Sequence, residues 1–327
     1  MLKVSTAPHI YSKTDTRTIM RDVIIALVPA GIAAIILFGL NALITIVTAV
    51  AGCVFFEYAA CRWMLKTSNS TTDLSAVVTG LLLAYNLPCN MPIWMTLIGC
   101  FVAIIITKVA FGGIGKNLFN PALVGRVFLF VSFPVQMTTW VNPNWKDFLN
   151  VDVVTSATTL GILKHADKGT SIFELADQLP SYWNMFVGNI GGSMGEVSAL
   201  ALLIGGCWLL YRKVISWHIP FYYISTFLLL NTLFWIWTDR ANCAPLTQLL
   251  SGGLLLGAIF MATDYTTSPM HKNGKIVFAI GCGILTFVIR QYSAYPEGVS
   301  FAILIMNAFV PLIDKAFHPR IFGTGRK

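Results

Sequence analysis

The sequence predicts an all-α polytopic membrane protein of about ten transmembrane helices, arranged as two five-helix inverted repeats with one long extracytoplasmic loop. Three observations carry that reading. Of the 327 residues, 56% are hydrophobic and only 11% charged, whereas soluble globular chains are about 25% charged. Several apolar runs reach about 18–20 residues, the length that crosses a hydrocarbon core of roughly 30 Å. The lysines and arginines gather between those runs, as the positive-inside bias arranges them. An outer-membrane barrel would show weak alternation instead. A nucleic-acid partner is not expected, because the net charge of +8 is spread among loops and not gathered on one face.

In chain order, residues 1–22 form a polar cytoplasmic tail with Lys3, Lys13, Arg17 and Arg21. No cleavable signal is expected, since the first apolar run is already span-length. Residues 23–133 form the first membrane repeat. Spans cover about 23–40 and, after a tight turn at Gly39-Leu40-Asn41, residues up to 60. A third run, 73–88, is short for a crossing and ends at Asn86-Leu87-Pro88; short or broken helices mark midplane sites. The fourth covers about 92–111, and the short fifth ends at Phe133 with Arg126 inside it.

Residues 134–196 are the only long polar segment. The second repeat, 197–317, holds spans at about 197–211, 215–237, 246–262, 275–290 and 299–317, and 318–327 is a second cytoplasmic tail. With both termini inside, 16 of the 22 lysines and arginines fall on the inner side, Lys108 and Lys116 among them. The short outer loops hold only Arg240 and Arg290. The long loop therefore faces outward. The segment Thr79–Ala84 is similar to Ser251–Ala258, and Asn117–Pro121 to Met306–Pro311, at matching places in the two halves. Halves with an odd number of spans are inverted in the membrane, and such repeats put a site at their interface.

Charges inside a bilayer are costly and often functional. Glu57, Arg126 and Asp264 are the candidates, for cation coordination or cofactor contact; an interfacial or locally paired charge is the alternative for the first two. Asp264 sits among hydroxyls in Ala262-Thr263-Asp264-Tyr265-Thr266-Thr267-Ser268-Pro269. The glycine-rich Gly112–Gly115 lacks the strand and helix flanks of a dinucleotide fingerprint. It suits irregular backbone among packed helices, with Asn117 and Asn120 either facing a ligand or capping a helix. No metal site is expected: the five histidines are scattered, and the cysteines have no C-x-x-C spacing. Cys89, at a loop end, is the one thiol placed to act as a ligand.

Inside the polar loop lies Asp152-Val153-Val154-Thr155-Ser156-Ala157-Thr158. On chemistry alone it is a turn or helix cap with spare hydroxyls. It also resembles D-x-x-[ST]-[GS]-A-T, the signature in which the last threonine carries a flavin through a phosphoester. With the stretches 73–88, 112–126, 260–269 and 295–307, it makes nearly the whole chain similar to the RnfD family, the D subunits of the Rnf complex, and to the B subunit of the sodium-pumping NADH:quinone reductase. The quinone-reductase protein has a longer N-terminal extension. Ser156 stands where glycine is usual.

The resemblance implies an electron-carrying membrane subunit of an ion-translocating ferredoxin:NAD oxidoreductase in the bacterial inner membrane. NAD reduction itself would occur on another subunit. It implies covalent FMN on Thr158, attached by a flavin transferase that reads Asp152, Thr155, Ser156 and Ala157. It further implies a second, non-covalent flavin, riboflavin, which would sit near Asn117, Asn120 and Asp264. Glu57, as a charge inside a span, is the candidate for an ion pathway. The partners implied are the A, B, C, E and G subunits, with membrane lipid around the spans. The rivals are the quinone-reductase protein and a secondary transporter with inverted repeats and no redox role.

Overall fold

The computed structural model describes residues 15–65, 70–143, 155–156, 158–165, 179–238, 244–293, 295 and 297–317. Asp152, Ala157 and the two tails (1–14 and 318–327) lie outside the described residues, as do the side chains of Thr155 and Ser156. The described chain is mostly helical, with connecting turns and one two-residue antiparallel ribbon that pairs Trp140 with Ser156 and Val141 with Thr155. Four helices are long and apolar enough to cross a membrane: Thr16–Met64, His218–Thr238, Lys272–Tyr292 and Val299–Ala316. Shorter apolar helices are Ser75–Tyr85, Ile93–Val109, Pro121–Ser132 and Ala199–Tyr211.

The first of these spans 49 residues, roughly 74 Å at 1.5 Å per residue and more than twice a hydrocarbon core. It folds back at Gly39, whose φ of 67° and ψ of −147° interrupt the helix; glycine adopts that backbone without a Cβ penalty. Contacts of helix Ser75–Tyr85 prove the reversal. Its Gly80 lies against the backbone of Ala49 and Val50, while the Tyr85 hydroxyl donates to the Leu27 carbonyl at 2.9 Å. Further on, the Thr45 hydroxyl donates to the Cys89 carbonyl at 3.2 Å. The turn expected at 39–41 is the point of reversal.

Two expectations change. The eighth span, read as one run, is broken into Pro245–Leu250, Leu254–Leu256 and a π-helical Gly257–Met261. Gly252, with φ 69°, makes the break. Arg290, expected in an outer loop, is buried at the end of Lys272–Tyr292. Its guanidinium donates to the Gln248 carbonyl at 2.7 Å, to Gln248 Oε1 at 2.8 Å and to the Ser251 carbonyl at 3.3 Å. The cation satisfies carbonyls that the broken helix leaves orphaned, and an orphan at this depth would cost several kcal/mol.

Helices meet through glycines at close approach, as membrane packing favours. A Cβ on Gly205 would clash with the Ala26 carbonyl oxygen. Backbone cannot yield as a flexible side chain can. Gly205→Val is expected to abolish recovery of folded protein, checked by monodispersity after detergent extraction; a normal elution profile would contradict this packing.

Candidate functional site

Two sites are built on this frame, at opposite ends of the bundle. The first is a cavity of about 430 Å³, within the range of small-molecule sites. Its apolar body comes from Val23, Val78, Leu82, Ile114 and Phe260, and its polar edge from Ser75, Lys108, Asn117, Asn120 and Asp264. Three of the sequence-predicted residues, Asn117, Asn120 and Asp264, are thus brought together. The local reasons are visible. Gly112, Gly113 and Gly115 have φ of 105°, 90° and 86°, so the backbone leaves the π-helical Val102–Val109 and turns back into the bundle, as the glycines suggested.

Asn120 then caps helix Pro121–Ser132. Its Oδ1 accepts from Ala122 N at 3.1 Å and Leu123 N at 3.4 Å, and its amide donates to the Met261 carbonyl at 3.2 Å. Asn117 donates to the Phe119 carbonyl at 3.2 Å. The asparagines satisfy backbone, and they also line the cavity. The Asp264 carboxylate accepts from the Thr266 hydroxyl at 3.0 Å and the Thr267 hydroxyl at 3.2 Å. Burial raises its carboxyl above the usual range, against those two hydrogen bonds.

Glu57 is buried but not alone. Lys108 Nζ lies 2.8 Å from each Glu57 oxygen and 2.7 Å from Ser75 Oγ. Lys108, read from sequence as an inner-loop charge, is instead buried in the π-helical segment. Its charge four residues before Gly112 looked like a loop signal, and the helix continues past it. The pair forms one wall of the cavity through Lys108 and Ser75.

The second site is at Thr158. The ribbon ends at Ser156, and Thr158 begins helix Thr159–His165. Its hydroxyl accepts from Gly161 N at 3.0 Å. Leu160 and Leu163 bury one face of this short helix. Lys164 ties it down, donating to the carbonyls of Arg290 at 3.3 Å and Tyr295 at 2.9 Å. Thr158 is half-buried on a docked support.

Beside it is a small cleft of about 10 Å³, lined in part by Ser193, Glu196, Ser251 and Glu297. That is room for about one water. Beneath the cleft Arg126 joins the long loop to the bundle. It pairs with Glu196 at 3.0 Å and with Glu297, and donates to Asn86 Oδ1 at 2.8 Å and Ser300 Oγ at 2.9 Å. Burial pushes the Glu196 carboxyl up to about 7, against the pull of Arg126 and helped by Glu297. Neither glutamate is a site candidate from sequence; Glu297 stands within the family-like stretch 295–307, and Glu196 follows the glycine- and serine-rich Gly191-Gly192-Ser193.

The fold and these sites define a class: an integral helical membrane protein that holds a small-molecule-sized cavity at one end and a docked, hydroxyl-bearing loop at the other. The chain belongs to the NQR2, RnfD, RnfE family, whose model matches residues 3–323. It is 44% identical over 325 residues to the D subunit of the Na(+)-translocating ferredoxin:NAD(+) oxidoreductase complex of Acetobacterium woodii, covering 99% of this chain and 96% of that one. It is 43% identical over 326 residues to the D subunit of the proton-translocating ferredoxin:NAD(+) oxidoreductase complex of Clostridium ljungdahlii, with the same coverage. The D subunit of the ion-translocating oxidoreductase complex of Escherichia coli is 35% identical over 351 residues, covering 99% of each chain.

Proposed function

We propose that this protein is the D-type membrane subunit of an ion-translocating ferredoxin:NAD oxidoreductase and carries electrons on two flavins. The observation that carries the reading is the placement of Thr158. Its hydroxyl is half-buried on a helix anchored by Leu160, Leu163 and Lys164, at the end of the sequence stretch that matches the flavin-transfer signature. Full-length similarity to subunits so named supports it. The sodium- and proton-named relatives are almost equally similar, so identity alone does not choose the ion.

FMN is the expected covalent group, joined through its phosphate to Thr158 Oγ1 by a flavin transferase. Asp152, Thr155, Ser156 and Ala157 are the residues that enzyme would read. Riboflavin is the expected second cofactor, and the 430 Å³ cavity fits it: an apolar body suits the ring, and Asn117, Lys108 and Asp264 suit its polar edge and hydroxyls. Bound flavins exchange one or two electrons, which joins one-electron and two-electron carriers. The chain's own residues hold the cofactors, exclude water and fix the local charge. NAD reduction belongs to other subunits, with A, B, C, E and G as the expected partners.

The membrane arrangement proposed is ten segments in two inverted repeats in the bacterial inner membrane, termini cytoplasmic and Thr158 outside. The hairpin at Gly39 supplies two crossings from one helix. Asn120 and Asn307, from the similar segments of the two halves, meet in the bundle: with the Asn307 amide oriented as its neighbours require, its oxygen accepts from Asn120 N at 3.3 Å. Glu57 remains the candidate for ion movement, its partner Lys108 occupying the place that a transported cation would take.

Thr158→Ala is expected to leave no flavin fluorescence in the denatured band of protein made beside the flavin transferase. Fluorescence that persists would place the attachment elsewhere. Asp264→Leu is expected to cut non-covalent flavin content at least tenfold and to spare the covalent flavin, read by acid extraction of the purified protein.

A further inference from the structure

A groove of about 430 Å³ runs between helices Ala199–Tyr211 and His218–Thr238, and Ile215 separates it from the first cavity by lining both. Leu203, Cys207, Leu210, Phe221, Ile224 and Leu228 line it, and its surface is almost wholly apolar. Ile215 and Trp217 close one end. Ser216, between them, accepts from Lys275 Nζ at 3.5 Å. Lys213 stands exposed two residues before Ile215, its backbone in the left-handed region at φ 56°. Arg212, next to it, is engaged with Asp22 at 3.1 Å. Neither Lys213 nor Lys275 has a carboxylate partner among the described residues. Trp217 stacks on His218, with ring centroids 4.4 Å apart, and lies 6.1 Å from Tyr222. Aromatic rings beside cations mark the headgroup level of a membrane protein.

We propose that this groove binds one anionic phospholipid of the cytoplasmic leaflet. One acyl chain lies along the apolar floor, and the phosphate meets Lys213 and Lys275 at the mouth. Size and charge argue for this occupant. A single helical turn with its side chains fills about 400 Å³, from a diameter near 10 Å and a pitch of 5.4 Å. A spanning partner helix would therefore rest over the groove, where an acyl chain enters it. A neutral quinone would leave the two lysines without an opposite charge, whereas the inner leaflet is rich in anionic headgroups that attract such cations.

The test is native mass spectrometry of the protein purified with its natural partner subunits and exchanged into mixed phosphatidylglycerol and phosphatidylcholine. One tightly held phosphatidylglycerol is expected, preferred about thirtyfold if each lysine contributes its usual share. Lys213→Ser with Lys275→Ser is expected to abolish the preference, and Ile224→Trp, which fills the groove, to remove the retained lipid. A photoreactive benzophenone residue in place of Leu228 provides a reading that depends on neither variant. A crosslink to phospholipid supports the site. Equal retention of both lipids, or a crosslink to a protein chain or a quinone, overturns it.

Discussion

Replacing Lys108 with methionine is expected to lower stability by about 3–5 kcal/mol, the usual cost of stranding one member of a buried ion pair. Both side chains are almost fully buried, at 4% and 2% exposure, with nitrogen and oxygen 2.8 Å apart. Methionine removes the cation and leaves the Glu57 carboxylate in a low-dielectric wall between two helices. Glu57→Gln strands the lysine instead and should cost about as much. Lys108→Met with Glu57→Gln should cost much less than the sum of the single changes, because no net charge then remains buried. A double-mutant cycle on thermal unfolding in detergent measures that coupling. Additive single effects would show that the two groups do not depend on each other. The same cycle bears on function: a buried cation held against a buried carboxylate is a place where an incoming cation can exchange with an internal one.

Arg126→Leu is the second large effect expected. Its guanidinium is the positive centre for Glu196, from the end of the long loop, and for Glu297, and it also holds Asn86 and Ser300. Leucine leaves two carboxylates facing each other beneath Thr158. The loss should again be about 3–5 kcal/mol, with faster proteolysis of the 134–196 segment, because the loop loses a buried polar tie to the bundle. Lysine should not restore it, since a point charge cannot fork between several acceptors as guanidinium does. The pH dependence has a definite sign. Glu196 is raised in the folded protein to about 7 from an ordinary value near 4.5, so the folded state holds more protons than the unfolded one between those pH values. Stability contributed by that proton is present at low pH and is lost as pH rises through about 7. The Arg126→Leu deficit should therefore be smaller at pH 5 than at pH 8. A deficit that does not change with pH would remove Glu196 from this account.

How far the sequence can be read depends on whether a feature is local. The Gly39 turn, the short run ending at Pro88 and the glycine turn at 112–115 are local, set by backbone freedom and by the length of apolar runs, and each lies where the sequence puts it. Asp264 and the two asparagines are legible because polar groups amid apolar sequence are conspicuous, and the structure gathers them on one cavity. What the sequence hides is tertiary. Lys108 and Arg290 look like loop charges because each stands at the edge of an apolar run. Only the fold reveals that one answers Glu57 and the other answers the carbonyls of a broken helix. The break in 246–262 is hidden because Ser251-Gly252-Gly253 sits in a run apolar enough to read as continuous. Glu196 and Glu297 give almost no signal, since their importance comes from a shared Arg126 some 70 and 171 residues away in sequence.

The central claim is that Thr158 carries a flavin through its phosphate. The most direct measurement is the mass of the proteolytic peptide containing Thr158, from protein made in cells with the flavin transferase. The account predicts a peptide heavier by one FMN less one water, with fragmentation placing the added mass on Thr158 and not on Thr155, Ser156 or Thr159. An unmodified peptide from fully assembled, active complex would contradict it.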